Sequence, residues 1–522
     1  MEKMIKNPVL PGFNPDPCMI RVEDTYYIAV SSFEWLPGVR IYQSHDLVNW
    51  DYCTDALTDQ VDLRGDATGC AIWAPQLSYA DGQFHLLYTD VKTSVRPFKD
   101  TPNYLISAPS IKGPWSEPIY LNSSGFDPSL FHDDDGRKWL SNALWDYRMT
   151  TPNKSSGIVI QEYDPELQQL VGEPLKIFDC TELGKTEAPH IYKLNGYYYL
   201  IMAEGGTGSG HAVTIARSKS VTGPYELDPH YPMMTASQHP DSPIQCSGHA
   251  SLVETPDGEW YIAHLGTRPL KDQRAILGRE TFIQKVVWDE DGWLRLAHGG
   301  VVPAVEVEAP ISFNGEVRAY EHDFHDDFSS PNLKENWNSL RMMPNEEWCS
   351  LTERANHLRL YGGESLHSLF KHHLLAIRQT DFNFKATTKV IFEPTLFLQM
   401  AGLILFLNAE HYLYAYITHE DGRHILRVIK ANVDVTVTDT VVELPEDISA
   451  GIVLSVEVAG EEAVFSYQIA NQTEAAFLYK EADLSFLSGG FTGNYVGIAC
   501  HDMNQYKGCY ADFEYFDYKT TN

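Results

Sequence analysis

Lys185-Thr186-Glu187-Ala188-Pro189-His190-Ile191-Tyr192-Lys193-Leu194-Asn195-Gly196-Tyr197-Tyr198-Tyr199-Leu200 holds a short β-prone run, an Asn-Gly turn and an aromatic-rich second run, which is the pattern of a hairpin. Four more turn signals stand in the first half of the chain, at Asp24-Thr25, Asp81-Gly82, Asp135-Gly136 and Asp257-Gly258, each followed by a similar run. Successive signals lie about 54 to 62 residues apart, a period that suits a repeated sheet unit. Eight residues ahead of the five turns stand Asp16, Trp73, Asp127, Glu187 and His249. The register therefore predicts that three carboxylates, a Trp and a His share one equivalent position of a five-fold repeat. A unit of this length built from short strands is the blade of a β-propeller, whose first strands line a central channel. Residues far apart in sequence then converge at one end of that channel.

Five blades use about the first three hundred of the 522 residues, which leaves room for a second domain. Past Trp288-Asp289-Glu290-Asp291-Gly292-Trp293 the pattern loosens into a Pro-punctuated connection, Val301-Val302-Pro303 through Glu308-Ala309-Pro310. We place a propeller at residues 1–315 and a second domain at 316–522. Alternating runs such as Thr388-Lys389-Val390-Ile391-Phe392 and Ile452-Val453-Leu454-Ser455-Val456-Glu457-Val458 predict a β-sandwich there. Helix signals are sparse, so the expected fold class is all-β: a five-bladed β-propeller followed by a C-terminal β-sandwich.

Seventy-one acidic against 39 basic side chains give a net charge of −32, which repels nucleic acid and anionic membrane surfaces. A neutral substrate suits this charge, and 11 Trp, 29 Tyr and 23 Phe supply flat faces that suit sugar rings as well as strand packing. The N-terminus has no apolar core of a signal peptide, and no apolar run approaches the ~18 residues of a membrane span, so a soluble, cytoplasmic protein is expected. Eight scattered cysteines without a Cys-x-x-Cys pair are expected to be reduced thiols. Glu321-His322-Asp323-Phe324-His325-Asp326-Asp327-Phe328 carries metal-capable residues but no further ligand cluster at a set spacing, and reads as the acidic start of a strand.

Each candidate has a plain alternative. Asp16, held between Pro15 and Pro17 on extended backbone, would alone read as a turn cap; Trp73 as channel packing; His249 as a satisfied core histidine. The in-register carboxylates shift Asp16 to function, while Trp73 and His249 stay open between the two readings. Two carboxylates across one bond are the minimal equipment for glycoside hydrolysis, one ionised to activate water and one protonated to serve the leaving oxygen. A third carboxylate nearby helps keep the acid protonated. These requirements do not assign roles among Asp16, Asp127 and Glu187.

Asn14-Pro15-Asp16-Pro17, Trp73-Ala74-Pro75, Gly125-Phe126-Asp127-Pro128-Ser129 and Lys185-Thr186-Glu187-Ala188-Pro189 resemble, in order, the motifs of glycoside hydrolase family 43, specifically its bacterial β-xylosidases. The resemblance covers the full chain. It implies Asp16 as general base, Glu187 as general acid, Asp127 as the residue that orients the acid and tunes it, and hydrolysis with inversion. It also implies Arg279 as a sugar contact, with a structural salt bridge to Asp127 or another acid as the alternative, and Phe33, Trp73 and Phe126 as the apolar wall. Phe491, in Gly489-Gly490-Phe491-Thr492-Gly493-Asn494-Tyr495, would cap the pocket from the sandwich, although composition alone favours a core residue.

The expected activity is release of xylose from the non-reducing end of 1,4-β-xylo-oligosaccharides, with α-L-arabinofuranosides as further substrates. An arabinan-degrading hydrolase and a non-catalytic carbohydrate-binding propeller are the alternatives. No cofactor is required; a structural divalent cation on the channel axis near His249 and a homo-oligomeric state stay open.

Overall fold

The computed structural model describes residues 3–470, 472–505 and 508–521. All regular structure in it is strand apart from two short 3-10 turns, Lys271–Gln273 and Leu484–Phe486. Five antiparallel sheets form the blades, with four strands each except blade four, which has a fifth. Their inner strands are Cys18–Val22, Ala71–Ala80, Gly125–His132, Glu187–Leu194 and Gln245–Glu254. The Asp81-Gly82 and Asn195-Gly196 turns have both residues at positive φ, the geometry of a two-residue hairpin turn with the right twist.

The predicted register needs a correction of one residue. In blades two to five the ladder between the first two strands slips between Trp73 and Gln76, Phe126 and Ser129, Glu187 and His190, and Gly248 and Ser251. Each slip is a β-bulge, and each contains one non-glycine residue at positive φ: Ala74, Asp127, Ala188 and His249, matched in blade one by Asp16. Asp127 and His249 therefore occupy the bulge itself, and Asp16 the matching left-handed position just ahead of its strand, whereas Trp73 and Glu187 occupy the residue before the bulge. The common count of eight arose from unequal turns. Blade one turns at Glu23-Asp24, one residue earlier than read from the sequence, and blades three and five use longer loops. The bulges aim neighbouring side chains into the channel and carry backbone strain of roughly 1–3 kcal/mol per residue.

The ring closes without borrowing a strand for blade five. Instead Asn7 exchanges two side-chain hydrogen bonds with Ile283, and Val9 donates to Thr281 O at 3.0 Å. Met4–Lys6 pairs with Glu306–Glu308, tying the start of the propeller to its end.

From Phe324 onward two large antiparallel sheets pack face to face around Leu403, Leu405, Val456, Phe465, Phe513 and Phe516. Phe324–Asp326 pairs with the last strand, so the acidic segment read from the sequence does begin a strand. One sandwich sheet continues into the propeller: Trp35–Leu36 of blade one pairs with Asn338–Leu340. Trp35 stacks on Tyr495 with ring centres 3.8 Å apart, and Arg341 Nε donates to Asp66 O at 2.9 Å. One apolar cluster runs through Phe13, Phe33, Trp35, Trp73, Tyr414 and Tyr495 across the junction, so the sandwich is fixed beside the channel mouth. No helix among the described residues is long and apolar enough to cross a membrane.

Candidate active site

At the mouth of the channel lies a cavity of about 290 Å³. All nine side chains selected from the sequence line it: Asp16, Phe33, Trp73, Phe126, Asp127, Glu187, His249, Arg279 and Phe491.

Asp16 is buried and heavily bonded. Ser31 Oγ donates to its Oδ2 at 2.6 Å, Arg279 Nη1 donates to its Oδ1 at 2.7 Å, and His249 Nδ1 stands 3.4 Å from Oδ1. Burial opposes ionisation, but the Arg279 guanidinium, His249 and Ser31 outweigh it and hold this carboxyl far below the usual carboxylate range. Arg279 thus pairs with Asp16 and not with Asp127. Ser31 Oγ also accepts from Ala74 N at 2.7 Å, which ties the Asp16 carboxylate to the bulge of blade two. For His249 burial disfavours the charged ring, yet the contact with Asp16 and the field of all three carboxylates raise its pKa.

Asp127 and Glu187 behave oppositely to Asp16. Asp127 Oδ2 accepts from Ala188 N at 3.1 Å, linking its blade to that of Glu187. Burial, with Asp16 adding to it, pushes Asp127 up to about 6 against the pull of His249 and Lys99. Burial is again the largest influence on Glu187, followed by the Asp127 charge, and together they raise it to about 8. The cavity therefore pushes two neighbouring carboxyls in opposite directions, Asp16 towards its ionised form and Glu187 towards its protonated one.

The walls are aromatic. Phe33 and Trp73 lie 5.9 Å apart between ring centres, Trp73 and Phe126 also 5.9 Å, and Phe491 closes the set at 5.4 Å from Trp73 and 6.3 Å from Phe33. Phe491 arrives from the sandwich and stays 37% exposed, so it forms a rim and not core. Its carbonyl accepts from Arg279 Nε at 3.2 Å and Nη2 at 3.0 Å, so one guanidinium holds both the Asp16 carboxylate and the capping loop. Two glycines allow that approach. A Cβ on Gly493 would sit 2.4 Å from Leu277 O, and one on Gly278 would sit 2.6 Å from the Gly493 Cα.

Sequence reasoning missed Lys99, Arg96 and Trp145, which also line the cavity. The Lys99 ammonium lies over Phe126 at 4.2 Å, Trp145 at 4.3 Å and Trp73 at 5.0 Å. Burial lowers its pKa, opposed by Glu187 and Asp127. A usable signal existed: Arg96-Pro97-Phe98-Lys99 puts two cations and an aromatic in one loop of a strongly acidic chain.

Among the described residues no group of three or more His, Cys, Asp or Glu side chains is arranged to hold a metal ion. A proton-accepting carboxylate, a proton-donating one and aromatic faces around a small cavity can cleave an acetal bond of a neutral sugar.

Residues 5–294 match the model of glycosyl hydrolases family 43, and residues 325–519 match the β-xylosidase C-terminal concanavalin A-like domain. The chain is 42% identical to a β-xylosidase of Bacillus subtilis (strain 168), over 99% of both proteins. It is 41% identical to xylosidase/arabinosidase 43B of Humicola insolens, over 99% of this chain and 97% of that one. The crystal structure of a xylan β-1,4-xylosidase from Bacillus halodurans C-125 matches with a TM-score of 0.95 at 46% identity, over 99% of this chain and 100% of that one.

Proposed function

The chain belongs to glycosyl hydrolase family 43, and from that premise we propose that it is an exo-acting β-xylosidase that removes single xylose units from the non-reducing end of short 1,4-β-xylo-oligosaccharides with inversion at the anomeric carbon. The observation that carries this reading is the bonding of Asp16 to Arg279 and Ser31, which favours its charged form, on the wall of one small cavity shared with a buried Glu187 that burial and Asp127 push towards its neutral form. Glu187 delivers its proton to the glycosidic oxygen as the bond to the anomeric carbon breaks. Water attacks that carbon from the opposite face and gives its proton to Asp16. An aspartate held this acidic is a weak base towards resting water. It becomes competent as the sugar gains oxocarbenium character and the attacking water turns strongly acidic.

Asp127 keeps Glu187 protonated by charge and bonds the backbone next to it. Arg279 and Ser31 fix the plane of the Asp16 carboxylate. Phe33, Trp73, Phe126 and Phe491 take the apolar faces of the sugar, and His249 adds a donor near Asp16. The reaction uses no cofactor, and a cation on the channel axis would have to share the approach to Asp16 with the His249 ring, 3.4 Å from its Oδ1. Eight unbonded cysteines fit a reducing, cytoplasmic setting.

The closing Phe491 favours a chain end over an internal polymer segment, which speaks against an endo-acting arabinanase. A cavity of about 290 Å³ is at the small end of ligand sites. Similarity to a xylosidase/arabinosidase supports α-L-arabinofuranosides as a second substrate class. A panel of xylobiose, a nitrophenyl arabinofuranoside and polymeric xylan tests the reading. Turnover of the first two with xylose as the sole early product from xylobiose is expected; rapid loss of polymer viscosity would overturn it.

A further inference from the structure

Of the fully buried carboxylates that the reaction leaves unused, Glu204 lies on the strand paired with that of Glu187. Glu204 ends the strand Tyr197–Glu204, beside Ala203, the residue that pairs with Glu187. No ion pair involves it among the described residues. Its two oxygens instead accept from Thr181 N at 3.0 Å, Thr181 Oγ1 at 2.6 Å, Thr186 Oγ1 at 2.5 Å and Thr214 Oγ1 at 2.9 Å. A carboxylate is the side chain with enough lone pairs, and no protons of its own, to receive four such donors.

Thr186 immediately precedes Glu187 and is itself fully buried. Its hydroxyl is fixed by Glu204, and its carbonyl accepts from Ser155 Oγ of blade three at 2.8 Å. On either side of the Thr186-Glu187 pair stand two non-glycine residues in the left-handed region, Lys185 at φ 54° and Ala188 at φ 51°. Such backbone persists only where its surroundings over-determine it. The Thr181–Thr186 loop is drawn onto the end of the sheet by Glu204 and by Gly205 N donating to Gly184 O at 2.8 Å.

We propose that Glu204 is a positioning residue for hydrolysis, a buried anion that locks Thr186 and thereby holds the Glu187 carboxyl at the angle needed to protonate the leaving oxygen. It rests on the assignment of Glu187 as the acid. Gln at 204 keeps the shape but replaces one oxygen by an NH2 group, so two of the four donors lose their acceptor. Thr186→Val removes one of the four bonds at nearly constant volume, on the side that leads to the acid.

The test measures Glu204→Gln, Thr186→Val, their double variant and Glu187→Ala on xylobiose and on nitrophenyl xyloside, whose leaving group needs little protonation. Glu204→Gln and Thr186→Val should each lose about tenfold or more in kcat on xylobiose and less than about threefold on the nitrophenyl substrate, with KM nearly constant, the size expected for a displaced catalytic group. The double variant should lose no more than the worse single one. Equal losses on both substrates, no loss on either, or additive losses would overturn the proposal. Should Glu204→Gln fail to fold, Thr186→Val decides by the same substrate contrast. Should Glu187→Ala lose equally on both substrates, the acid assignment fails instead, and the anchor stands or falls on the non-additivity of Glu204 and Thr186.

Discussion

Replacing Glu187 by Gln should abolish the acid and yet stabilise the protein at neutral pH. In the fold the carboxyl is raised from 4.5 to about 8, chiefly by burial and then by the Asp127 charge. At pH 7 the folded state therefore keeps a proton that the unfolded chain has released, so its contribution to stability falls as pH rises above about 4.5 and levels off near the folded value. Over the interval from 4.5 to 7, at 1.36 kcal/mol per pH unit, holding the proton costs about 3 kcal/mol. A neutral Gln of the same shape removes that cost. Unfolding entropy of about 2.1 cal/mol/K per residue gives roughly 1.1 kcal/mol/K for 522 residues, so Tm should rise by about 3 °C at pH 7, and by more if the propeller unfolds on its own. Thermal unfolding of both proteins from pH 4 to pH 8 is the assay. The gain should vanish near pH 4, where both forms of Glu are neutral. A gain independent of pH, or a loss at pH 7, would refute the claim that the site holds Glu187 protonated against its preference.

Arg279→Met removes the cation that keeps Asp16 ionised, so the acid limb of the kcat/KM profile should move upward, and breaking this buried pair should cost about 3–5 kcal/mol; an unmoved limb would mean that another group controls it. The depressed Asp16 contributes stability above its unfolded pKa of 3.8 that is lost as pH falls towards the folded value, so the acid side of the stability profile should flatten in the same variant. Asp127→Asn should shift the basic limb downward, because it removes the negative neighbour that helps raise Glu187; a limb unmoved or moved upward would rule out charge repulsion as the role of Asp127. Phe491→Ala uncovers roughly 50 Å² of sugar face, about 1.2 kcal/mol or an eightfold rise in KM for xylobiose, with little change in Tm; a large loss of Tm with constant KM would place the ring in the core.

The architecture was legible because turn chemistry and period are local. Asn195-Gly196 and Asp81-Gly82 mark their hairpins directly, and five such marks define the blades. The same local reading misjudged the register, since a β-bulge leaves no mark in composition: Trp73 and Glu187 precede their bulges, while Asp127 and His249 form theirs. Residues whose meaning depends on a distant partner were harder. Composition alone reads Phe491 as sandwich core; the family resemblance moves it to the pocket rim, and the Arg279 bonds to its carbonyl show what holds it there. Lys99 gains significance only when Phe126 and Trp145 fold around it. Trp35 joins a sandwich sheet through a two-residue pairing with a segment some three hundred positions away, which no periodicity announces.

The most direct test of the central claim is the anomeric configuration of the first xylose released, followed by proton NMR before mutarotation. Single displacement, with water deprotonated by Asp16 on the face opposite Glu187, predicts α-xylose from a β-linked substrate. Initial β-xylose would require a covalent glycosyl-enzyme and would contradict the roles given to both carboxylates.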